Sequence, residues 1–346
     1  MTGNNISLEN GLVARVDWLS YTVQEKYTPD EIIEFMGFDL QLFREMPNGA
    51  NGYKRMRKYE NISVLYDGAD NMGIHVNVTG SSIATLLESY NNSLLVDTGF
   101  GSKAREVYTW EETVFSRFCL EVLKIGHLTR IDLAIDDYGT NYYSTDDIVK
   151  KLANGQIVSK WRTAQNNQES IIGTNEKVGH TVYFGSTKSD IRMRIYDKQL
   201  ERNKGLSKDS EKYHHEKWTR WELQLRKERA DSVANLLSKG LSLGDVVMGV
   251  LSNYFRIIEL DDSNKSRCSL DSKWECFVNN VRKLKITVRK EDKTLEMEIE
   301  QFEHQNGRKV SKIFYAVGGS VDYFWNLAKR YECRLTMQDR EQLGIA

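Results

Sequence analysis

The chain has 346 residues, with 48 Lys+Arg against 49 Asp+Glu and 40% hydrophobic residues. This is the composition of a soluble globular protein with core for about two domains, and it lacks the run of about 18 apolar residues that a membrane span needs. A formal net charge of −1 excludes a uniformly basic DNA-coating protein, so a nucleic-acid partner would need a local basic face.

The first residues have no basic stretch followed by an apolar one, so no signal peptide is expected. Cys119, Cys268, Cys276 and Cys333 are far apart and form no CxxC. A zinc site or disulfide framework is therefore not expected, and a reducing cytoplasm is the natural compartment. Pro29 and Pro47 are the only prolines, so no Pro-rich linker divides the chain.

In chain order, residues 12–23 read as a strand. Thr28, Pro29 and Glu31 mark a capped helix start, with Thr28 as N-cap and Glu31 three residues on. Residues 53–58, 61–67 and 73–79 read as three strands. A helix follows from Gly80, and a second over 110–125. The order then repeats. Residues 128–137 form a strand, Ser144 starts a capped helix, residues 180–185, 191–198 and 218–227 are strands, and 230–237 is a helix. Val16-Asp17 aligns with Ile131-Asp132, Tyr66-Asp67 with Tyr196-Asp197, and Ile74–Val78 with Trp221–Leu225. These are two βαβββα units side by side in one sheet, with helices on the other face. The second unit carries a charged, solvated insertion around residues 201–217. Beyond about Gly240, helices are expected over 241–258, 274–284, 309–316 and 323–332, while 295–300 is undecided. The expected organisation is a degenerate first α+β repeat (1–126), a second repeat carrying the site (127–240) and a smaller, mainly helical C-terminal region (241–346).

Side chains alternate across a strand. Arg130, Asp132 and Asp136 share one face, and Ile131, Leu133 and Ile135 the other. Arg192, Arg194, Tyr196 and Lys198 share a face of the next strand, and Arg220, Glu222, Gln224 and Arg226 a face of the third. As neighbours, the three strands would present carboxylates, a tyrosine and cations on one outward surface. That suits phosphodiester chemistry. Asp132, Asp136 and Glu222 are hard oxygen ligands for Mg²⁺ or Mn²⁺. The arginines can clamp phosphates. Tyr196 is a nucleophile candidate, with Arg194, Lys198 and a metal favouring its phenolate. The plainer alternative is a solvated sheet face with a half-buried tyrosine. Trp218, Trp221 and Tyr183 could stack on unpaired bases or pack in the core. Asp137 and Asp197 point away from their neighbours and read as turn or capping residues. P-loop, dinucleotide-binding and nucleophile-elbow motifs are absent from the sequence.

The ordered set LTRIDLAIDD, YFGS…RMRIYDK and WTRWELQLRK resembles the Rep_trans-type replication initiation factors. These include initiators of rolling-circle plasmids and related relaxases of integrative conjugative elements. The resemblance covers residues 13–237 and is strongest over 128–230. It implies a saddle-shaped, TATA-box-binding-protein-like sheet. It implies that Tyr196 attacks one strand at an origin, keeps the 5′ phosphate and releases a 3′ hydroxyl. Asp132, Asp136 and Glu222 would hold the metal. Arg194, Lys198 and Arg220 would act at the phosphate, with Arg130, Arg192 and Arg226 on neighbouring DNA. The implied partners are origin DNA with an extruded single-stranded hairpin, a second copy of the chain and a host helicase; no membrane is involved. Tyr66 aligns with Tyr196, but the sequence around it offers no arginine-rich strand or acidic partners. Overall neutrality predicts segregated acidic and basic faces. A non-catalytic DNA-binding repressor and a water-using nuclease are the alternatives.

Overall fold

A computed structural model describes residues 11–97, 110–281 and 295–332, with Arg340 and Leu343. Its centre is a ten-stranded sheet in the order β2-β3-β4-β5-β1-β6-β11-β10-β9-β8. The strands of the first half are β1 (Leu12–Val23), β2 (Arg44–Glu45), β3 (Arg55–Tyr59), β4 (Ile62–Tyr66) and β5 (Ile74–Thr79). Those of the second are β6 (Gly126–Tyr138), β8 (Ala164–Ser170), β9 (Lys177–Phe184), β10 (Ile191–Asp197) and β11 (Trp218–Arg226). Outward from the central pair β1–β6, the first half runs β5, β4, β3 and the second runs β11, β10, β9. The two halves therefore repeat one topology about the antiparallel β1–β6 seam. This is the duplicated α+β sheet that the sequence pattern predicts.

Local signals explain the helix starts. Helix α1 (Pro29–Phe35) has a capping box: Glu31 N donates to Thr28 Oγ1 at 3.2 Å, and Thr28 N to Glu31 Oε2 at 2.7 Å. Ser144 and Asp147 do the same for α4 (Thr145–Ala153). Each box satisfies two backbone N–H groups that the first turn leaves without partners. Helices α2 (Ser82–Asp97), α3 (Trp110–Ile125) and α6 (Glu228–Ser238) pack on the sheet and on one another. Their contacts seal Tyr21, Phe115 and Phe118 in the core. Gly126 opens β6 at the seam, where a Cβ would lie 2.0 Å from Thr22 O, so no side chain fits there.

The sequence pattern missed β8 and the short ribbon of β7 (Ile157–Ser159) with β12 (Phe255–Ile257). β8 reads AQNNQES and five of its seven residues are exposed. It is an edge strand held by backbone pairing to β9, and it has no apolar alternation for sequence reading to detect.

The chain forms two compact units. The first extends well past residue 240, the boundary expected from sequence. Helices α7 (Leu243–Tyr254) and α8 (Ser272–Val281) belong to it. Trp274 and Phe277 of α8 pack on Trp221 of β11, with ring centroids 5.8 and 4.9 Å apart. Trp221 is 2% exposed, so it is a core residue and not a stacking platform. The second unit combines Asp39–Arg44 with residues from 290 onward. Its described helices are α9 (Leu295–Ala316), which resolves the undecided 295–300 stretch, and α10 (Val321–Tyr331). The charged stretch 289–293 lies outside the described residues.

Asp271 fastens α8 to the sheet unit. It accepts from Tyr143 Oη at 2.6 Å and Lys151 Nζ at 2.7 Å, and from the backbone N–H groups of Lys273 and Trp274 at 2.9 and 3.1 Å. Burial pushes its carboxyl up, but these donors outweigh burial and bring it to about 2. A folded pKa below the usual ~3.9 contributes stability that is present above about pH 4 and lost as pH falls through about 2. Asp271→Asn should therefore cost up to about 2 kcal/mol at pH 7 and almost nothing near pH 2. Urea melts at the two pH values check this; an equal cost at both would refute it.

Candidate active site

Strand register assembles the site. Across β10, β11 and β6, Tyr196 pairs with Arg220 and Arg220 with Asp136. The next row along the same face is Arg194, Glu222 and Ala134, and the next is Arg192, Gln224, Asp132 and then Trp18 of β1. The row after that brings Arg226 opposite Arg130. The alternation expected from sequence thus places these side chains on one surface.

That surface is not a solvated sheet face. Tyr196 is 4% exposed, Asp132 1%, Asp136 0%, Arg220 4% and Glu222 1%. Arg194 and Lys198 lie over the Tyr196 ring, 4.9 and 5.4 Å from its centroid. Nor are acidic and basic groups segregated. Arg130 grips Asp132 through two bonds of 2.9 and 2.6 Å. Arg194 grips Glu222 through bonds of 2.7 and 2.8 Å. Buried carboxylates require paired cations, which forces this interleaving.

The three expected metal ligands separate into different roles. Asp136 accepts from Trp218 Nε1 at 2.7 Å and from Arg220 Nε and Nη2 at 2.6 and 3.0 Å, and Arg15 Nε lies 2.5 Å away. Burial would raise its carboxyl, but Arg220, Arg15 and the Trp218 indole hold it below the usual carboxylate range. Both oxygens are committed, so Asp136 anchors Arg220 and does not fit as a metal ligand. Among the described residues, no group of three or more His, Cys, Asp or Glu is arranged to hold a metal ion. The expected Asp132–Asp136–Glu222 cage is therefore not formed.

Sequence reading missed Asp17 as a site residue. It sits at a β-bulge of β1, where the register shifts between Val16 and Trp18. There it accepts from Arg220 Nη1 at 2.6 Å. Its charge adds to burial in raising the pKa of both Asp132 and Glu222. The alignment of Asp17 with Asp132 was the available signal, but a bulge cannot be read from alternation.

The structure also reverses the expected activation of Tyr196. Burial, then the Glu222 charge, push its pKa up; Arg220 and Arg194 only partly oppose this. The phenol is held protonated and its Oη donates to Glu222 Oε2 at 3.2 Å. Glu222 is itself raised to about 7, first by burial and then by Asp132 and Asp17 against the pull of Arg194. The site thus pairs a neutral tyrosine with a carboxylate able to take its proton near neutrality.

The other expected residues are distributed around this centre. Lys198 opens α5 (Lys198–Asn203) and pairs with Glu201. Arg192 lies 4.2 Å from the Tyr183 ring centroid. Arg130 lies 3.8 Å from the Trp18 ring centroid, and Arg226 donates to Thr187 O at 2.8 Å. Asp197 caps α5 through Leu200 N, and Asp137 accepts from the N–H groups of Asn141 and Tyr142. Both are the turn or capping residues expected. Trp218 is 1% exposed and stacks on Tyr138, so it is not open to bases. The charged insertion is pinned by Asn203, which donates to His214 O and accepts from His214 N, both at 2.8 Å.

Tyr66 does have a basic strand and an acidic partner, contrary to the sequence reading. Its Oη lies 2.7 Å from Glu45 Oε2, and Arg55 and Arg57 of β3 flank its ring. Its place differs, however. Leu65 pairs with His75 as Arg194 pairs with Glu222. By alternation, Tyr66 faces the opposite side of the sheet from the Tyr196 surface.

Residues 126–324 match the family described as replication initiation factor. The chain belongs to this family. Residues 13–93 of this initiation factor match the rolling circle replication initiation protein N-terminal domain, so the two matches together span both repeats. The putative DNA relaxase NicK of Bacillus subtilis (strain 168) is 27% identical over 287 residues, 82% of this chain and 76% of that protein. The solved structure of the rolling circle replication initiator protein from Geobacillus stearothermophilus is similar at a TM-score of 0.66 and 30% identity, covering 81% of this chain and all of the other. No helix among the described residues is long and apolar enough to cross a membrane.

Proposed function

We propose that this initiation factor nicks and rejoins one DNA strand at a replication or transfer origin, with Tyr196 as nucleophile. The supporting observation is the Tyr196–Glu222 hydrogen bond of 3.2 Å on a surface lined by arginines. As Tyr196 Oη attacks phosphorus, its proton passes to Glu222 Oε2. The new bond links the tyrosine to the 5′ phosphate, the bond to the 3′ oxygen breaks, and that oxygen leaves with the electron pair and takes a proton from water to become the 3′ hydroxyl. The phosphodiester energy is kept in the protein–DNA bond, so rejoining needs no nucleotide cofactor. Arg194 is 37% exposed at its side chain and Arg130 23%. Both can turn from their carboxylates to phosphate oxygens as DNA binds. Arg220, fixed between Asp17 and Asp136, holds the charge opposite Tyr196.

Asp132, once Arg130 turns from it to phosphate, and the second oxygen of Asp17 would hold a divalent cation, Mg²⁺ or Mn²⁺. Burial and then the Asp17 charge raise the Asp132 carboxyl, a penalty that such an ion would relieve. A bound cation would supply charge to polarise the phosphate. Circle closure needs a second acceptor. With Tyr66 turned to the other face, a second copy of the chain supplies it, and extension from the nick calls for a host helicase.

Covalent capture tests the reading. The protein is incubated with supercoiled DNA carrying its own coding locus, with Mg²⁺ or Mn²⁺, then denatured in detergent. A labelled 5′ end should stay on the protein. Cleavage without an adduct would indicate a water-using nuclease, and binding without cleavage at any metal a repressor. Glu222→Gln should slow adduct formation by about 10²–10⁴-fold. Because Glu222 accepts only when ionised, the wild-type rate should fall as pH drops below about 7. The Gln variant should lose that acid limb, and an unchanged pH profile would remove Glu222 from this role.

A further inference from the structure

The outer sheet face continues past the tyrosine site. Over the first repeat it forms a groove of about 550 Å³. Its floor is a chain of neutral polar groups. Trp18 Nε1 donates to Ser20 Oγ at 2.6 Å, and Ser20 donates to Asn77 Oδ1 at 2.6 Å. His75 Nε2 lies 3.1 Å from the same oxygen, and its Nδ1 is 2.9 Å from Thr22 Oγ1. The Asn77 amide nitrogen takes no part in this chain. Thr129 Oγ1, at the β6 bulge where the register skips from Arg130 to Leu128, also lines the groove and is buried with no hydrogen-bond partner. Lys58, Arg130 and Arg226 form a cationic rim, and no carboxylate is among the lining residues.

These positions are the counterparts of the tyrosine site in the other repeat. β5 flanks β1 as β11 flanks β6, and His75 and Asn77 share the face of the sheet that on β11 carries Glu222 and Gln224, with Ser63 of β4 opposite Asn77. The first repeat has neutral donors and acceptors where the second has charged reactive groups. Such groups suit base edges, while rim cations suit phosphates. Paired bases present their Watson–Crick edges to each other, so a floor of this kind is reached by an unpaired base. From Tyr196 on β10 to Asn77 on β5 the path crosses β11, β6 and β1. That is four inter-strand spacings across the sheet, about 19 Å, and six residues along the strands, about 20 Å, from the Tyr196–Arg220–Asp136 row to the Asn77–Ser20–Arg130 row. The two therefore lie about 28 Å apart, a span of several nucleotides.

We propose that this groove binds an unpaired nucleotide of the same strand that Tyr196 cuts, its base edge met by Ser20, Ser63 and Asn77 and the phosphates on its two sides by Lys58 and Arg226. The proposal rests on the nicking reading for its strand assignment. The degenerate repeat is then a register device: it fixes which phosphate reaches the tyrosine.

The test uses the full chain with labelled oligo(dT) and a blunt duplex of equal length, followed by anisotropy. Ser63→Trp fills the groove. It should weaken single-strand binding about tenfold, with duplex binding changed less than about twofold. Lys58→Ala, at an exposed position, should weaken single-strand binding and lower its salt slope by about one contact. Should Ser63→Trp fail to fold, Asn77→Ala takes its place, with the same loss expected. Wild-type single-strand affinity in the folded groove variants, or no oligo(dT) binding by the wild type, would overturn the proposal. Covalent capture on the same samples separates the two readings. Groove variants that lose the single strand while the wild type forms no adduct would sink the nicking reading and keep the groove. A Tyr196 adduct with groove variants that bind normally would do the reverse.

Discussion

Tyr196→Phe is expected to abolish covalent capture of the 5′ end, a loss of about 10⁴-fold or more, while DNA binding persists. The substitution removes one oxygen and little else. Glu222 keeps both bonds from Arg194, so no buried carboxylate is left unpaired. The ring, packed beneath Arg194 and Lys198, stays in place. The cost to folding should be about 1 kcal/mol, too small to account for the lost adduct. Capture and a thermal melt on one sample decide the matter. An adduct retained by Tyr196→Phe and lost by Tyr66→Phe would transfer the nucleophile to the first repeat. The structure argues against that result, because Tyr66 lies on the other face, away from Asp132, Glu222 and Arg220.

Asp136→Ala is expected to be the most destabilising single change at the site, by about 3–5 kcal/mol. Asp136 is fully buried and holds Arg220, Arg15 and Trp218 together. Its removal takes two of the three carboxylate bonds of Arg220, which is 4% exposed and keeps only Asp17. It also takes the carboxylate from Arg15 and removes the carboxylate that accepts from the Trp218 indole N–H. The loss should be the same with and without Mg²⁺. A metal ligand behaves differently: its removal in metal-free buffer relieves like-charge repulsion and leaves stability unchanged or raises it. Denaturant midpoints in the two buffers distinguish these roles. A stable Asp136→Ala protein whose midpoint no longer responds to Mg²⁺ would return Asp136 to the metal set.

Much of the fold is legible from local features. The boxes at Thr28–Glu31 and Ser144–Asp147 mark helix starts within four residues. The alternation in RIDLAID and RMRIYDK marks strands and their two faces. The edge strand β8 was not legible, because backbone pairing alone holds its polar residues. Helix α8 was legible as a helix but not as the floor of the core under β11. Its contacts with Trp221 join positions far apart in the chain.

The candidate site divides along the same line. Sequence by itself determined which residue types share a strand face and that Tyr196, Arg194, Arg220, Asp132 and Glu222 suit phosphate chemistry. It also determined that the chain repeats one unit, since spacing and composition are properties of neighbours in the chain. Only the tertiary structure decided how the charges divide. Arg220 lies 84 residues from Asp136 and 203 from Asp17, and nothing local links them. A charged alternating strand reads the same whether its polar face meets water or is buried. Strand register determines which guanidinium meets which carboxylate. The resulting burial holds Tyr196 protonated, ties Asp136 to Arg220, brings Asp17 into the site and turns Tyr66 away from it.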